Sequence, residues 1–113
     1  MPCISLRTNQ HIADNTEVQL KQAFGQAITI LPRKSEQWLM CVMQGDCQLW
    51  FAGENTAAAF LEVGLFGAAP QEAYSTLTAA LTKIVSEQLQ IPIDRIYIKY
   101  SETDTWGWNG KNF

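Results

Sequence analysis

Pro2 is the residue whose type and place could do chemistry in this chain. If Met1 is removed, the ring nitrogen of Pro2 becomes a secondary amine. A free α-amino group titrates at about 7.7–8.0, and burial in an apolar pocket or a nearby cation lowers that value by disfavouring the charged form. Such an amine is a base at neutral pH, able to take a proton from a carbon beside a carbonyl. Other reactive residues lack partners. Cys3 follows Pro2 with no base in view, so it does not read as a nucleophile. Glu62 and Asp104 have no obvious mate and read as solvated carboxylates. Cys3, Cys41 and Cys47, with the single His11 and no Cys-x-x-Cys, suit neither a disulfide framework nor a zinc site. Cys41, inside an apolar run, reads as a small packed hydrophobe.

The elements that must position Pro2 follow from periodicity. Residues 3–8 alternate apolar and polar and predict a strand. Asp14 with Glu17 resembles a capping box. Leu20, Phe24, Ala27, Ile28 and Leu31 then recur at helical spacing, up to Pro32. Residues 38–43 are an unbroken apolar run, expected as a strand buried on both faces. Gly45-Asp46 signals a turn, and residues 47–51 predict a second short strand completing a hairpin. The pattern then repeats. Residues 57–65 predict a strand, and Pro70 suits a first helical turn. Tyr74, Leu77, Leu81, Ile84 and Val85 form a helical stripe, and Pro92 precedes a strand over 95–100. The result is an α+β (α/β) domain over 1–113: a β-α-β unit used twice, with a four-stranded mixed sheet and two antiparallel helices on one face.

Two helices cover only one face of such a sheet. In the strand at 95–100, Ile96 and Ile98 point one way, Tyr97 and Lys99 the other. The second face needs a cover the chain does not supply, so an oligomer of closed cyclic symmetry is expected. The net charge of −3 and the scattered basic residues argue against nucleic acid. No apolar run spans a bilayer. Residues 1–30 carry no signal-peptide pattern, being interrupted by Asp14, Glu17 and Lys21, so the mature chain is expected to begin at residue 1 or 2. The cytoplasm is the expected compartment, with non-classical secretion left open.

The chain resembles the macrophage migration inhibitory factor family of the tautomerase superfamily along its whole length. The matching pieces are Met1-Pro2-Cys3 with Thr8-Asn9, Lys34-Ser35-Glu36-Gln37-Trp38, and Val63-Gly64-Leu65-Phe66-Gly67. The closing stretch is the most specific: residues 92–100, then Trp106-Gly107-Trp108-Asn109-Gly110 and Phe113. The resemblance implies a homotrimer with sites at subunit boundaries and cofactor-independent keto–enol tautomerisation of phenylpyruvate or dopachrome-type compounds. By position, it implies that Pro2 is the base and that Lys34 binds the carboxylate or oxygen of an α-keto acid or its enol while helping to keep Pro2 neutral. It implies that the Val63 N–H donates to substrate, that Tyr97 arrives from a neighbouring subunit, and that Trp106, Trp108 and Phe113 form an aromatic rim.

Lys99 stands where the best-known members carry asparagine, and would bring a second cation toward the pocket. Ala57 and Ala58 lie where the vertebrate cytokine has Cys-x-x-Cys, so thiol oxidoreductase activity is not expected. Taken singly, Lys34 would be a solvated loop lysine, Lys99 an outward charge, and the tryptophans buried area. The alternative function is a trimeric cytokine-like binding or signalling protein with a vestigial pocket. Decarboxylation or dehalogenation ranks lower, since Arg7, Arg33 and Arg95 have no evident partners in sequence.

Overall fold

A computed structural model describes residues 1–113. Strand β1 (Pro2–Thr8) leads to helix α1 (Asp14–Ala27), which tightens into a 3₁₀ turn (Ile28–Ile30). A second 3₁₀ turn (Glu36–Trp38) opens strand β2 (Met40–Gln44). Strand β3 (Ala59–Phe66), helix α2 (Gln71–Leu89), a 3₁₀ turn (Ile93–Arg95) and strand β4 (Ile96–Thr103) repeat the pattern. A small hairpin, β5 (Gly107–Trp108) and β6 (Lys111–Asn112), closes the chain. The sheet order is β2-β1-β3-β4. β1 runs parallel to β2 and β3 parallel to β4, while β1 and β3 are antiparallel. The predicted doubled unit is therefore present, its halves joined by the central antiparallel pair.

One face of the sheet carries the core. Ile4 and Leu6 of β1 and Leu61, Val63 and Leu65 of β3 meet Leu20, Phe24 and Ile28 from the first helical segment and Leu77, Leu81 and Val85 of α2. All of these are within 1% of full burial, each worth about 1.5–3 kcal/mol over exposure. Both predicted stripes face inward, with Ile84 half-buried at the margin.

Local signals differ from expectation at several points. Ala13, not Asp14, caps α1, and no side chain bonds there. Asp14 and Glu17 lie in the first turn, where they favour the positive end of the helix dipole without forming a capping box. Pro70 caps α2 from just outside the first turn, its carbonyl accepting the Ala73 and Tyr74 N–H groups. Strand β2 is an edge strand: Cys41 and Met43 are half-buried, but Met40 is 64% exposed and Val42 also faces out. It is not buried on both faces within one chain.

The predicted strand at 47–51 does not form. Only Phe51 bridges, to Glu54 across a tight turn. The Cys47 N–H donates to the Thr8 carbonyl, and the Asn9 amide donates to the carbonyls of Leu49, Asn55 and Thr56. Side chains thus take up carbonyls that a ladder would otherwise have used.

The second sheet face is uncovered, as expected, but its character is mixed. Met40, Val42, Phe60 and Tyr97 supply apolar area. Between them lie an Arg7–Glu62 ion pair at 2.6 Å and Lys99, registered beside Glu62. No helix is long and apolar enough to cross a membrane.

Candidate active site at the amino end of β1

Pro2 begins β1 and is buried, opposite Leu65 of β3. The Met1 carbonyl accepts the Phe66 N–H at 3.0 Å, which ties the chain's first residues to the end of β3. Lys34 comes to the same place from another direction. The turn that carries it holds Arg33 in left-handed backbone, φ 63°, and the Lys34 N–H donates to Leu31. The Lys34 Nζ then donates to the Phe66 carbonyl at 3.0 Å.

The terminal amine feels both surroundings. Its pKa is lowered from the ordinary value, first by burial, then by the Lys34 charge. With Met1 attached, this amine belongs to Met1 and the Pro2 nitrogen is an amide. Removing Met1 transfers the amine to Pro2, one residue deeper along β1.

Aromatic rings cluster beside Phe66. The Trp38 and Trp108 rings meet edge-to-face at 5.1 Å. Phe113 lies 5.5 Å from Phe66 and 6.3 Å from Trp108. The β5–β6 hairpin sets Trp108 through Asn109 (φ 54°) and Gly110 (φ 78°). This is the Asn-Gly pair that two-residue hairpins favour, because both positions need positive φ. Trp106 is half-buried and contributes its carbonyl, which accepts the Phe113 N–H at 3.1 Å.

The structure therefore brings Pro2, Lys34, Trp108 and Phe113 together, with Trp106 anchoring the terminal segment. It adds Phe66 and Trp38, which sequence reasoning did not assign to the site. The available signal was parity. Phe66 shares the outward face of β3 with Gly64, and Trp38 lies two residues before the strand that pairs with β1.

Val63 pairs with Ile4 on one side and Tyr100 on the other, its side chain in the core, so its side chain is not offered to the site. Tyr97 and Lys99 are not brought to Pro2 within one chain. Tyr97 is registered with Phe60 and Pro2 with Leu65; five residues of strand separate them, about 17 Å. Tyr97 instead packs on Phe51 at 4.6 Å. It lines an apolar groove of 580 Å³ with Leu49, Trp50, Phe51 and Phe60.

The thiols stand apart from this chemistry. Burial chiefly pushes Cys41 up to about 11, which keeps it an unreactive thiol at neutral pH. Cys3 lies 3.9 Å from the Ser5 hydroxyl. No group of three or more His, Cys, Asp or Glu residues is placed to hold a metal ion.

Comparison with known proteins agrees with this architecture. The family model for macrophage migration inhibitory factor (MIF) matches residues 1–113. The Mus musculus macrophage migration inhibitory factor is 30% identical over 118 residues, spanning 100% of this chain and 99% of the relative. The crystal structure of Leishmania major MIF2 superposes with a TM-score of 0.94 at 26% identity, covering 100% of this chain and 97% of that one. A homologue from Prochlorococcus marinus shares the fold, with a TM-score of 0.85 at 24% identity and 98% coverage of each chain. Matched from its first residue to its last, the chain belongs to the macrophage migration inhibitory factor family.

Proposed function

We propose that this protein, once Met1 is removed, is a cofactor-independent keto–enol tautomerase of aryl α-keto acids, with Pro2 as general base. The observation that carries this reading is the convergence of the Lys34 ammonium and the first residues of β1 on Phe66, whose carbonyl accepts from Lys34 and whose N–H donates to the Met1 carbonyl; burial and that cation both lower the pKa of the Met1 amine standing there. A neutral ring nitrogen takes a proton from the carbon next to the ketone, and the electron pair of that C–H bond moves to form the enolate. The protonated proline then returns a proton to the enolate oxygen, giving the enol and a neutral base. The reverse sequence converts enol to ketone.

Lys34 supplies the charge that holds the substrate. One of its three N–H donors is used on the Phe66 carbonyl, leaving two for a carboxylate or the developing oxyanion. Trp38, Phe66, Trp108 and Phe113 offer an apolar wall suited to an aryl tail, and Trp106 secures its terminal strand. The Val63 N–H is a further donor to substrate in this reading.

We take the working molecule to be a homotrimer, in which the open sheet faces cover one another and Tyr97 and Lys99 of one copy approach Pro2 of the next. Support for this comes from the uncovered face and from the distance that keeps Tyr97 away from Pro2 in a single chain. A protein that kept Met1 would instead be suited to binding or signalling, since its Pro2 nitrogen would be an amide.

Proton transfer by a positioned base is typically worth about 10²–10⁴-fold. Phenylpyruvate tautomerisation by the Met1-free protein, its terminus verified by mass spectrometry, should fall by about that factor in Pro2→Gly. Equal rates in the two proteins would refute the assignment.

A further inference from the structure

Arg95 looks, from sequence, like a free cation at the start of β4. Its guanidinium instead spends four of its five N–H donors inside the chain. Nε donates to the Ala57 carbonyl at 2.9 Å and Nη1 to Phe51 at 3.2 Å. Nη2 donates to Glu54 at 3.2 Å and Thr56 at 3.3 Å. The same guanidinium lies over the Phe51 ring, 5.2 Å from its centroid. Asn9 grips the segment from the other side: its amide donates to the Leu49, Asn55 and Thr56 carbonyls, and its Oδ1 accepts the Ala58 N–H at 3.0 Å. The two side chains share the Thr56 carbonyl.

The segment 47–58 has almost no ladder of its own, only the Phe51–Glu54 bridge. A loop this poor in backbone pairing would ordinarily sample many conformations. It nonetheless carries the walls of the apolar groove and the ring against which Tyr97 rests. Phe51 meets both Arg95 and Tyr97, and Arg95 is only two residues before Tyr97.

We propose that Arg95 and Asn9 are positioning residues that hold the arm 47–58 as a preformed wall and thereby fix Tyr97 for substrate bound against a neighbouring copy. The last clause rests on the tautomerase reading above; the fixing of the arm does not. Arg95 acts through Phe51 and Tyr97 and does not bind the substrate anion, since four of its five donors are spent on carbonyls. A preset wall binds more tightly than one that must order on contact, because each rotamer-rich side chain immobilised on binding costs affinity.

The test uses the Met1-free oligomer of the full chain, as wild type, Arg95→Gln, Asn9→Ala and Phe51→Leu, with assembly checked by size exclusion. Amide hydrogen exchange over 47–58 should rise at least about tenfold in Arg95→Gln and Asn9→Ala while β1 and β3 stay protected, as expected for local rather than global opening. In phenylpyruvate kinetics, KM should rise about tenfold with kcat within about threefold, because the arm orders on binding and takes no part in proton transfer. Phe51→Leu keeps the carbonyl that Arg95 needs and removes the ring. It should raise KM similarly without the increase in exchange, and it decides the matter should Arg95→Gln fail to assemble.

Unchanged exchange in Asn9→Ala and Arg95→Gln overturns the clamp. Increased exchange with unchanged KM, or an unchanged KM in Phe51→Leu, overturns the link to substrate. A loss confined to kcat overturns it as well. A wild-type protein inactive on phenylpyruvate would count against the tautomerase reading and the Tyr97 clause together, and the exchange data would still decide the clamp.

Discussion

Replacing Lys34 by methionine keeps much of the side chain's length and removes its charge, so it separates the two tasks assigned to this residue. The first is binding. Two N–H donors remain on Nζ after the Phe66 carbonyl is satisfied. A hydrogen bond to a charged group is worth about 1.5–3 kcal/mol. At tenfold per 1.36 kcal/mol, Lys34→Met should lose about 10- to 150-fold in kcat/KM. The second task is electrostatic. The Lys34 cation lowers the terminal amine's pKa, second only to burial. The same cation should act likewise on the Pro2 amine of the Met1-free protein, so its loss should move the acidic limb of the kcat/KM profile, which reports the free enzyme's base, to higher pH. Ketonisation of enolic phenylpyruvate, followed by absorbance from about pH 5 to 9, reads both effects. Lys34→Arg keeps the charge and should leave the limb near its wild-type position, while its planar fork fits the site differently and binds substrate less well. A Lys34→Met enzyme with kcat/KM within about twofold of wild type and an unmoved acidic limb would refute both tasks.

Two further outcomes are expected. Trp108→Ala removes the ring that touches Trp38 and Phe113; with aromatic pairs worth about 0.5–1.5 kcal/mol, KM for phenylpyruvate should rise about 2- to 13-fold while that for a small aliphatic keto acid stays level. The His11–Asp46 contact at 3.0 Å raises the His11 pKa, mainly through the hydrogen bond to Asp46. Its stabilisation is therefore fully present below the unfolded value of about 6.5 and is lost as pH rises through the raised folded value. Urea midpoints of wild type and His11→Gln should differ at low pH and converge at high pH; a gap that persists unchanged above the folded titration would contradict the pairing.

How much of this was legible in the sequence depends on whether the signal was local. Leu20, Phe24 and Ile28, and Leu77, Leu81 and Val85, announce their helices because each stripe needs only one element's own period. The sheet's doubled plan follows from the two prolines that end the helical stretches. The arm at 47–58 misleads, because Leu49-Trp50-Phe51 looks like a strand while its carbonyls are answered by Asn9 and Arg95, which lie about 40 residues away in the chain. The edge position of β2 is likewise invisible in an apolar run, since parity does not say what lies beyond the last strand. At the site, Pro2 is suggestive by chemistry alone, but Lys34 and Phe113 gain meaning only through the family pattern and then through Phe66, which touches both. Phe66 itself falls just past the strand predicted over 57–65 and reads only as part of the Val63–Gly67 motif. Tyr97 and Lys99 stay far from Pro2 along the sheet, so a single chain leaves their role to the assembly.

The most direct measurement is the titration of the Pro2 nitrogen in Met1-free protein, followed by ¹⁵N NMR of protein labelled at proline. The expected midpoint lies below that of an ordinary terminal amine, about 7.7–8.0, and moves upward in Lys34→Met. A midpoint at or above the ordinary value, indifferent to the loss of Lys34, would contradict the claim that this corner of the fold makes a neutral base.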